Sequence, residues 1–267
     1  MATGDQADEL PEHLATGAIA AIYAEIRRCS GVTYVSSLQR YLATHPGLLE
    51  WGWGALAPAM TSGAIPEAGW RMAETARLAP LPPAPEFGAA RAMVRAIAAN
   101  FVRVAPVNMV FGASLRRLLE GAVPGGGGFA PDWVAPDPLP AMPGNLDPAA
   151  LAPGPRAALM RFVTELDGKP FIPALYRQLA HVPSALEWLA EMLPERLAAP
   201  EATAEGDALR AAAGAAADRV LAGLSQSGPA PADTALRARV LGAIARYAVT
   251  SPELILAGRA ILEAVAG

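Results

Sequence analysis

The chain of 267 residues contains one cysteine, Cys29. A single thiol excludes an intrachain disulfide framework, a Cys-x-x-Cys redox pair and a cysteine-rich zinc site. Histidine is nearly as scarce: His13, His45 and His181 fit no metal-ligand spacing, so neither a metal nor a cofactor is expected. Charged residues make up 17% of the chain and the net charge is −4, which gives no electrostatic footprint for nucleic acid or an anionic membrane. The segment Met1 to Pro11 is polar and acidic and lacks the basic-then-apolar order of a secretory signal. No apolar run reaches the roughly 18 residues of a membrane span without a charge, glycine or proline. No Gly-x-Ser-x-Gly elbow is present. The expectation is a soluble cytoplasmic protein, monomeric or weakly homodimeric.

What is abundant is alanine and leucine, within an apolar fraction of 53%. Both are strong helix formers, so composition alone favours an all-α fold. Ile19, Ile22, Tyr23 and Ile26 share one face of a first helix that Gly31 ends. A second helix is expected from about Thr33 to Thr44, closed by His45-Pro46-Gly47. A third begins near Leu48 and a fourth follows Pro66. Two longer ones, 87–104 and 106–120, meet at Pro106, a residue tolerated in the first turn of a helix.

Residues 122–155 change character. They hold nine prolines and the run Gly125 to Gly128, with almost no periodicity, and read as a linker crossing the surface. The glycine run lacks the Gly-Lys-Ser/Thr of a phosphate loop. After it the pattern restarts. A shift of 137 places Gly31, Leu38, Arg40, Leu42 and Ala43 on Gly168, Leu175, Arg177, Leu179 and Ala180. The same shift places Pro46, Leu49, Glu50 and Trp51 on Pro183, Leu186, Glu187 and Trp188, nine identities in twenty-one ungapped positions. A shift of 146 pairs Phe101 with Tyr247, Pro106 with Pro252 and Gly112 with Gly258. These matches predict two tandem six-helix repeats, 12–121 and 156–267, packed as an intramolecular pseudo-dimer with a central interface. Segments 22–51 and 159–188 should then superpose as helix-turn-helix units.

The runs Ile22 to Arg28, Arg40 to Gly47 and Trp51-Gly-Trp53 resemble the first repeat of the group I 2-haloacid dehalogenases, most specifically in Leu42 to Gly47. Each repeat also resembles the helical unit of the alkylhydroperoxidase-D-like superfamily, without its Cys-x-x-Cys. The resemblance implies hydrolytic carbon–halogen cleavage in small 2-halocarboxylic acids, with an Asp of the second repeat activating water and an Asn of the first holding it. Matched residue by residue, the Asp falls on Leu175 and the Asn on Ala105, while pocket aromatics fall on Tyr34 and Ser37. Leucine cannot accept a proton, so this general-base chemistry is lost or altered at these positions. Asp167 is the nearest upstream acid.

The pocket candidates are Tyr34, Ser37, Asn108, Ala105, Phe171, Leu175 and Tyr176, with Ser36 beside them on the polar face of the second helix. Ordinary capping and surface polarity is the alternative. Arg40 and Arg177 are repeat equivalents and candidate anion ligands; alternatively they pair with Glu50 and Glu187 across a helix hairpin. Trp51, Trp53, Trp70 and Trp188 are assigned to packing. Three functions stay open: a dehalogenase-type hydrolase, a non-catalytic protein binding a small carboxylate-bearing molecule in the inter-repeat cleft, and a structural homologue with a filled cleft.

Overall fold

The computed structural model describes residues 9–130, 132–166, 168–225 and 228–266. Among these the chain is mostly helical. The helices are α1 (Gly17–Ser30), α2 (Ser37–Leu42), α3 (Leu48–Thr61), α4 (Ala64–Thr75) and α5 (Arg91–Leu119), followed after the connector by α6 (Pro153–Met160), α7 (Ala174–Leu179), α8 (Pro183–Ala198), α9 (Pro200–Gly223) and α10 (Thr234–Ala264). Each half therefore contributes five α-helices, not six. The two helices expected to meet at Pro106 are one, α5, which runs through the proline. Pro252 lies inside α10 in the same way. A proline in a helix interior removes one hydrogen bond and crowds the preceding turn. Around Pro106 the neighbours accommodate this: Gly69 of α4 brings only hydrogen atoms to its backbone, and a Cβ there would lie 2.8 Å from the Pro106 carbonyl.

A second correction concerns strands. Thr164–Leu166 (β1) and Lys169–Phe171 (β2) form an antiparallel hairpin in register Thr164 with Phe171 and Leu166 with Lys169. Gly168 has φ +72°, and Asp-Gly is a favoured two-residue hairpin sequence. Asp167 itself lies outside the described residues. The hairpin occupies the place where the expected superposition needed helix, so 159–188 does not repeat 22–51 along its whole length. Correspondence resumes at the short helices, since Ser37–Leu42 shifted by 137 is Ala174–Leu179, the observed α7.

The core has two apolar clusters. One gathers α1 to α4, the C-terminal part of α5, α9 and the first part of α10. The other gathers the N-terminal part of α5, α6 to α8 and the end of α10. The long helices α5 and α10 pack on each other more extensively than any other pair and so belong to both clusters. By length and composition each is apolar enough to cross a membrane; here their apolar faces meet each other and the surrounding helices.

The connector crosses the surface and is tied down by its backbone. Gly125, Gly126, Gly127 and Gly128 donate N–H bonds of 2.9, 2.7, 3.0 and 2.9 Å to the carbonyls of Leu221, Leu224, Ala222 and Gly223. These carbonyls lie at the C-terminal end of α9, where i+4 donors run out; the Leu221 carbonyl also accepts from the Leu224 N–H at 3.3 Å. The run has to be glycine for two reasons: Gly126 and Gly128 both sit at φ +77°, and a Cβ on Gly125 or Gly127 would come within 2.9 Å of the Ala222 oxygen. Farther along, Trp133 lies 6.3 Å from Trp70, centroid to centroid.

Candidate functional site

The structure divides the sequence candidates between two environments. Leu175 and Tyr176 are fully buried in α7, where the Tyr176 ring stacks on Phe162 at 3.8 Å. Ala105 is buried in the other cluster. Neither Leu175 nor Ala105 offers a polar atom to anything. Phe171 stands half-buried on β2, not on a helix face. Tyr34 and Ser36 also precede their helix, because α2 starts at Ser37 and not near Thr33. Tyr34 is half-buried, its hydroxyl 3.5 Å from the Asn100 carbonyl, and burial raises its phenol well above the ordinary range.

Neither arginine makes the expected hairpin ion pair. Arg40 pairs with Glu9 at 2.6 Å and donates to the Ser37 hydroxyl at 3.3 Å. Arg177 donates from Nε to the Leu146 carbonyl at 3.0 Å. The reason is local. The chain entering each half lies against its short helix, with Leu10 N–H bonded to the Arg40 carbonyl and Leu146 N–H to the Arg177 carbonyl. Each arginine therefore meets the incoming segment first. Glu50 lies in the first turn of α3, where the helix dipole favours a negative charge.

Asn108 and Ser37 belong to a polar group at the boundary between the halves. The Ser36 hydroxyl donates to Gln39 Oε1, and Gln39 Nε2 donates to Asn108 Oδ1 at 2.9 Å. With its oxygen engaged, Asn108 has its amide hydrogens to offer. It lines a cavity of about 240 Å³ between α2, α5, α9 and α10, with Leu38, Met109, Ile244 and Ala248 as apolar wall. Tyr247 and Ser251 face the same cavity. Burial pushes the Tyr247 phenol far up, Glu9 adds to this, and the Ser37 hydroxyl opposes it in part, so Tyr247 is a neutral donor at physiological pH. Ser251 gives its own hydrogen to the Tyr247 carbonyl at 2.6 Å, leaving its lone pairs as acceptors.

Three arginines stand at this cavity, each with a carboxylate: Arg116 with Glu120 at 2.8 Å, Arg210 with Asp207 at 2.6 Å, and Arg117 with Asp218. Among the described residues no Asp or Glu lines the cavity itself. Two residues beyond Ser251 on α10, outside the cavity lining, Glu253 Oε1 accepts from the Tyr176 hydroxyl at 2.7 Å. Burial raises its pKa, and the Tyr176 bond only partly offsets that. Sequence reasoning missed Tyr247, Ser251 and Glu253. The signal was available, since Tyr247 was matched to Phe101 and the other two flank the matched Pro252.

Solved protein structures resemble this arrangement of helices. Three match over 96% of this chain and 95% of theirs: a D-2-haloacid dehalogenase mutant with D-2-CPA (19% identity, TM-score 0.65), a mutant described as a D-2-halacid dehalogenase (20%, 0.67), and a D-2-haloacid dehalogenase with L-LA (19%, 0.66). The fold resembles theirs. Near-complete coverage in both directions extends the likeness to the connector and both halves, while identities near one in five carry no chemistry with them. No family model matches the sequence, and no curated protein sequence does.

Proposed function

We propose that this chain is a small-molecule-binding relative of the D-2-haloacid dehalogenases that does not hydrolyse carbon–halogen bonds. One observation carries the reading: the cavity between the halves has amide, phenol and hydroxyl groups at Asn108, Tyr247 and Ser251 but, among the described residues, no lining carboxylate. Direct hydrolysis needs a base within hydrogen-bond reach of a water. The matched positions hold Leu175 and Ala105, both in apolar packing. The ligand class in this reading is a small 2-substituted carboxylic acid, held by neutral donors in the cytoplasm by a monomer or weak homodimer.

The same reading treats the halves as copies packed about a pseudo-two-fold axis, and reciprocal contacts support it. A Cβ on Gly112 would lie 3.5 Å from Ile244, and one on Gly258 would lie 3.3 Å from the Ala98 carbonyl. Under the shift of 146 Gly112 maps to Gly258 and Ala98 to Ile244, so each contact is the image of the other, as at a two-fold interface. Likewise α2 packs on α10 while α7 packs on α5.

Calorimetric titration of the purified chain with 2-chloropropionate and with lactate tests the binding. Saturable binding that weakens about tenfold or more in Asn108→Leu is expected, the loss of a half-buried donor. Absence of binding to either acid, or binding indifferent to Asn108→Leu, overturns the reading.

A further inference from the structure

A second concavity, about 380 Å³, lies between α4, α5, α10 and the connector, and nothing in the reading above uses it. Arg103 and Val102 of α5, Trp70 of α4, Leu262 of α10 and Leu139 of the connector line it. Its feature is an arginine that has no ion-pair partner among the described residues. Arg103 Nη1 is shut off from solvent and has no hydrogen-bond partner. The guanidinium as a whole is half-buried, its other N–H groups make no hydrogen bond among the described residues, and desolvation holds it below the usual arginine range.

The surroundings keep Arg103 in place without neutralising it. Its guanidinium carbon sits 5.2 Å from the Trp70 ring centroid, and the Trp70 indole donates to the carbonyl of Arg103 at 3.0 Å. Gly31 leaves the room that Nη1 occupies, since a Cβ there would lie 2.7 Å from it. Arg259 adds a second guanidinium, which donates to the Ala73 carbonyl at 2.7 Å and lies 3.5 Å from Glu263. Glu74 is the carboxylate among the lining residues and is exposed at the rim. Arg259 thus has Glu263 as its partner and Glu74 stands solvated at the rim, which leaves Arg103 as the unpaired cation of the groove among the described residues, above an apolar floor and beside an indole.

We propose that this groove binds an aromatic monocarboxylate, its carboxylate on Arg103 and its ring against Trp70, Val102 and Leu262. The chemistry fits: with Nη1 closed off against Gly31, the Nε–Nη2 edge of the guanidinium is the fork that takes a carboxylate in two parallel bonds, and the apolar floor takes a ring of six carbons. The site is independent of the cavity at Asn108, so either can fail while the other stands.

Benzoate is the probe and benzamide its uncharged control, each titrated into the full chain by calorimetry with tryptophan fluorescence followed in parallel. Benzoate is expected to bind one site and change the fluorescence, with benzamide about tenfold or more weaker. Arg103→Gln is expected to weaken benzoate by about tenfold or more. Ala99→Leu, which narrows the groove without touching a charge, is expected to do the same and covers the case in which Arg103→Gln does not fold. Asn108→Leu is expected to leave benzoate binding unchanged. Absence of saturable benzoate binding, equal affinity for benzamide, or binding unaltered in a folded groove variant overturns the proposal. So does loss of benzoate binding in Asn108→Leu, which would place the ligand in the other cavity.

Discussion

Among single residues, Leu175 and Glu253 show opposite ways in which a buried position sets chemistry. Leu175 is fully enclosed by apolar neighbours, with nothing to solvate a charge. Leu175→Asp therefore buries an unpaired carboxylate, and a loss of about 3–5 kcal/mol is expected. A urea midpoint shifted by less than about 1 kcal/mol equivalent would show that the site admits water. Glu253 already carries a carboxyl whose pKa burial raises. The folded chain holds that proton to a higher pH than the unfolded chain does, so stability is greatest below the ordinary glutamate range and falls as pH rises through the raised folded value. Glu253→Gln should flatten that decline in a series of urea melts between pH 4 and about 8. An unchanged slope would contradict the assignment. Cys29 makes a third case: its thiol is fully buried and pushed up to about 11, which makes it a packing residue with little thiolate at neutral pH.

Helices were the legible part of the sequence, because their apolar spacing is set by the same period that the fold uses. What spacing could not show was how a proline is received by its surroundings. Pro106 reads locally as a start, yet α4 supplies a glycine opposite it and α5 continues. That contact is testable. Gly69→Ala gains about 1 kcal/mol in helix propensity, but its Cβ meets fixed backbone at 2.8 Å and a net loss of about 1–3 kcal/mol is expected. Gly258→Ala should cost less, since its Cβ meets one side-chain methyl, Val102 Cγ2 at 2.7 Å, and the Ala98 carbonyl only at 3.3 Å, whereas Gly69 faces three backbone atoms at 2.8 Å. Thermal melts of the two variants check the order, and an equal or reversed order would contradict the packing account. The hairpin β1–β2 was hidden for a different reason: a continuous alignment with a helical half overrode the Asp-Gly turn signal at 167–168. The site was legible in part. Asn108 and Ser37 lie at the cavity or beside it, whereas Arg40 and Arg177 hold incoming chain segments that sequence spacing does not bring near them.

For the whole molecule, two long helices crossing at glycines tie both apolar clusters together, and a glycine run clamps the connector onto the end of α9. This frame is similar to that of D-2-haloacid dehalogenases over nearly the full length. Leu175, which the sequence resemblance matches to a water-activating acid, lies in the core. General-base assistance supplies roughly 10²–10⁴-fold in rate, about 3–5 kcal/mol of barrier, and among the described residues no carboxylate lines the cavity to stand in for it. The most direct test is chloride and bromide release from both enantiomers of 2-chloropropionate and 2-bromopropionate, measured by ion chromatography with the purified chain. Release at the rate of the buffer blank is predicted for all four. Steady turnover above the blank, abolished by replacing one carboxylate such as Glu253→Gln, would contradict the account.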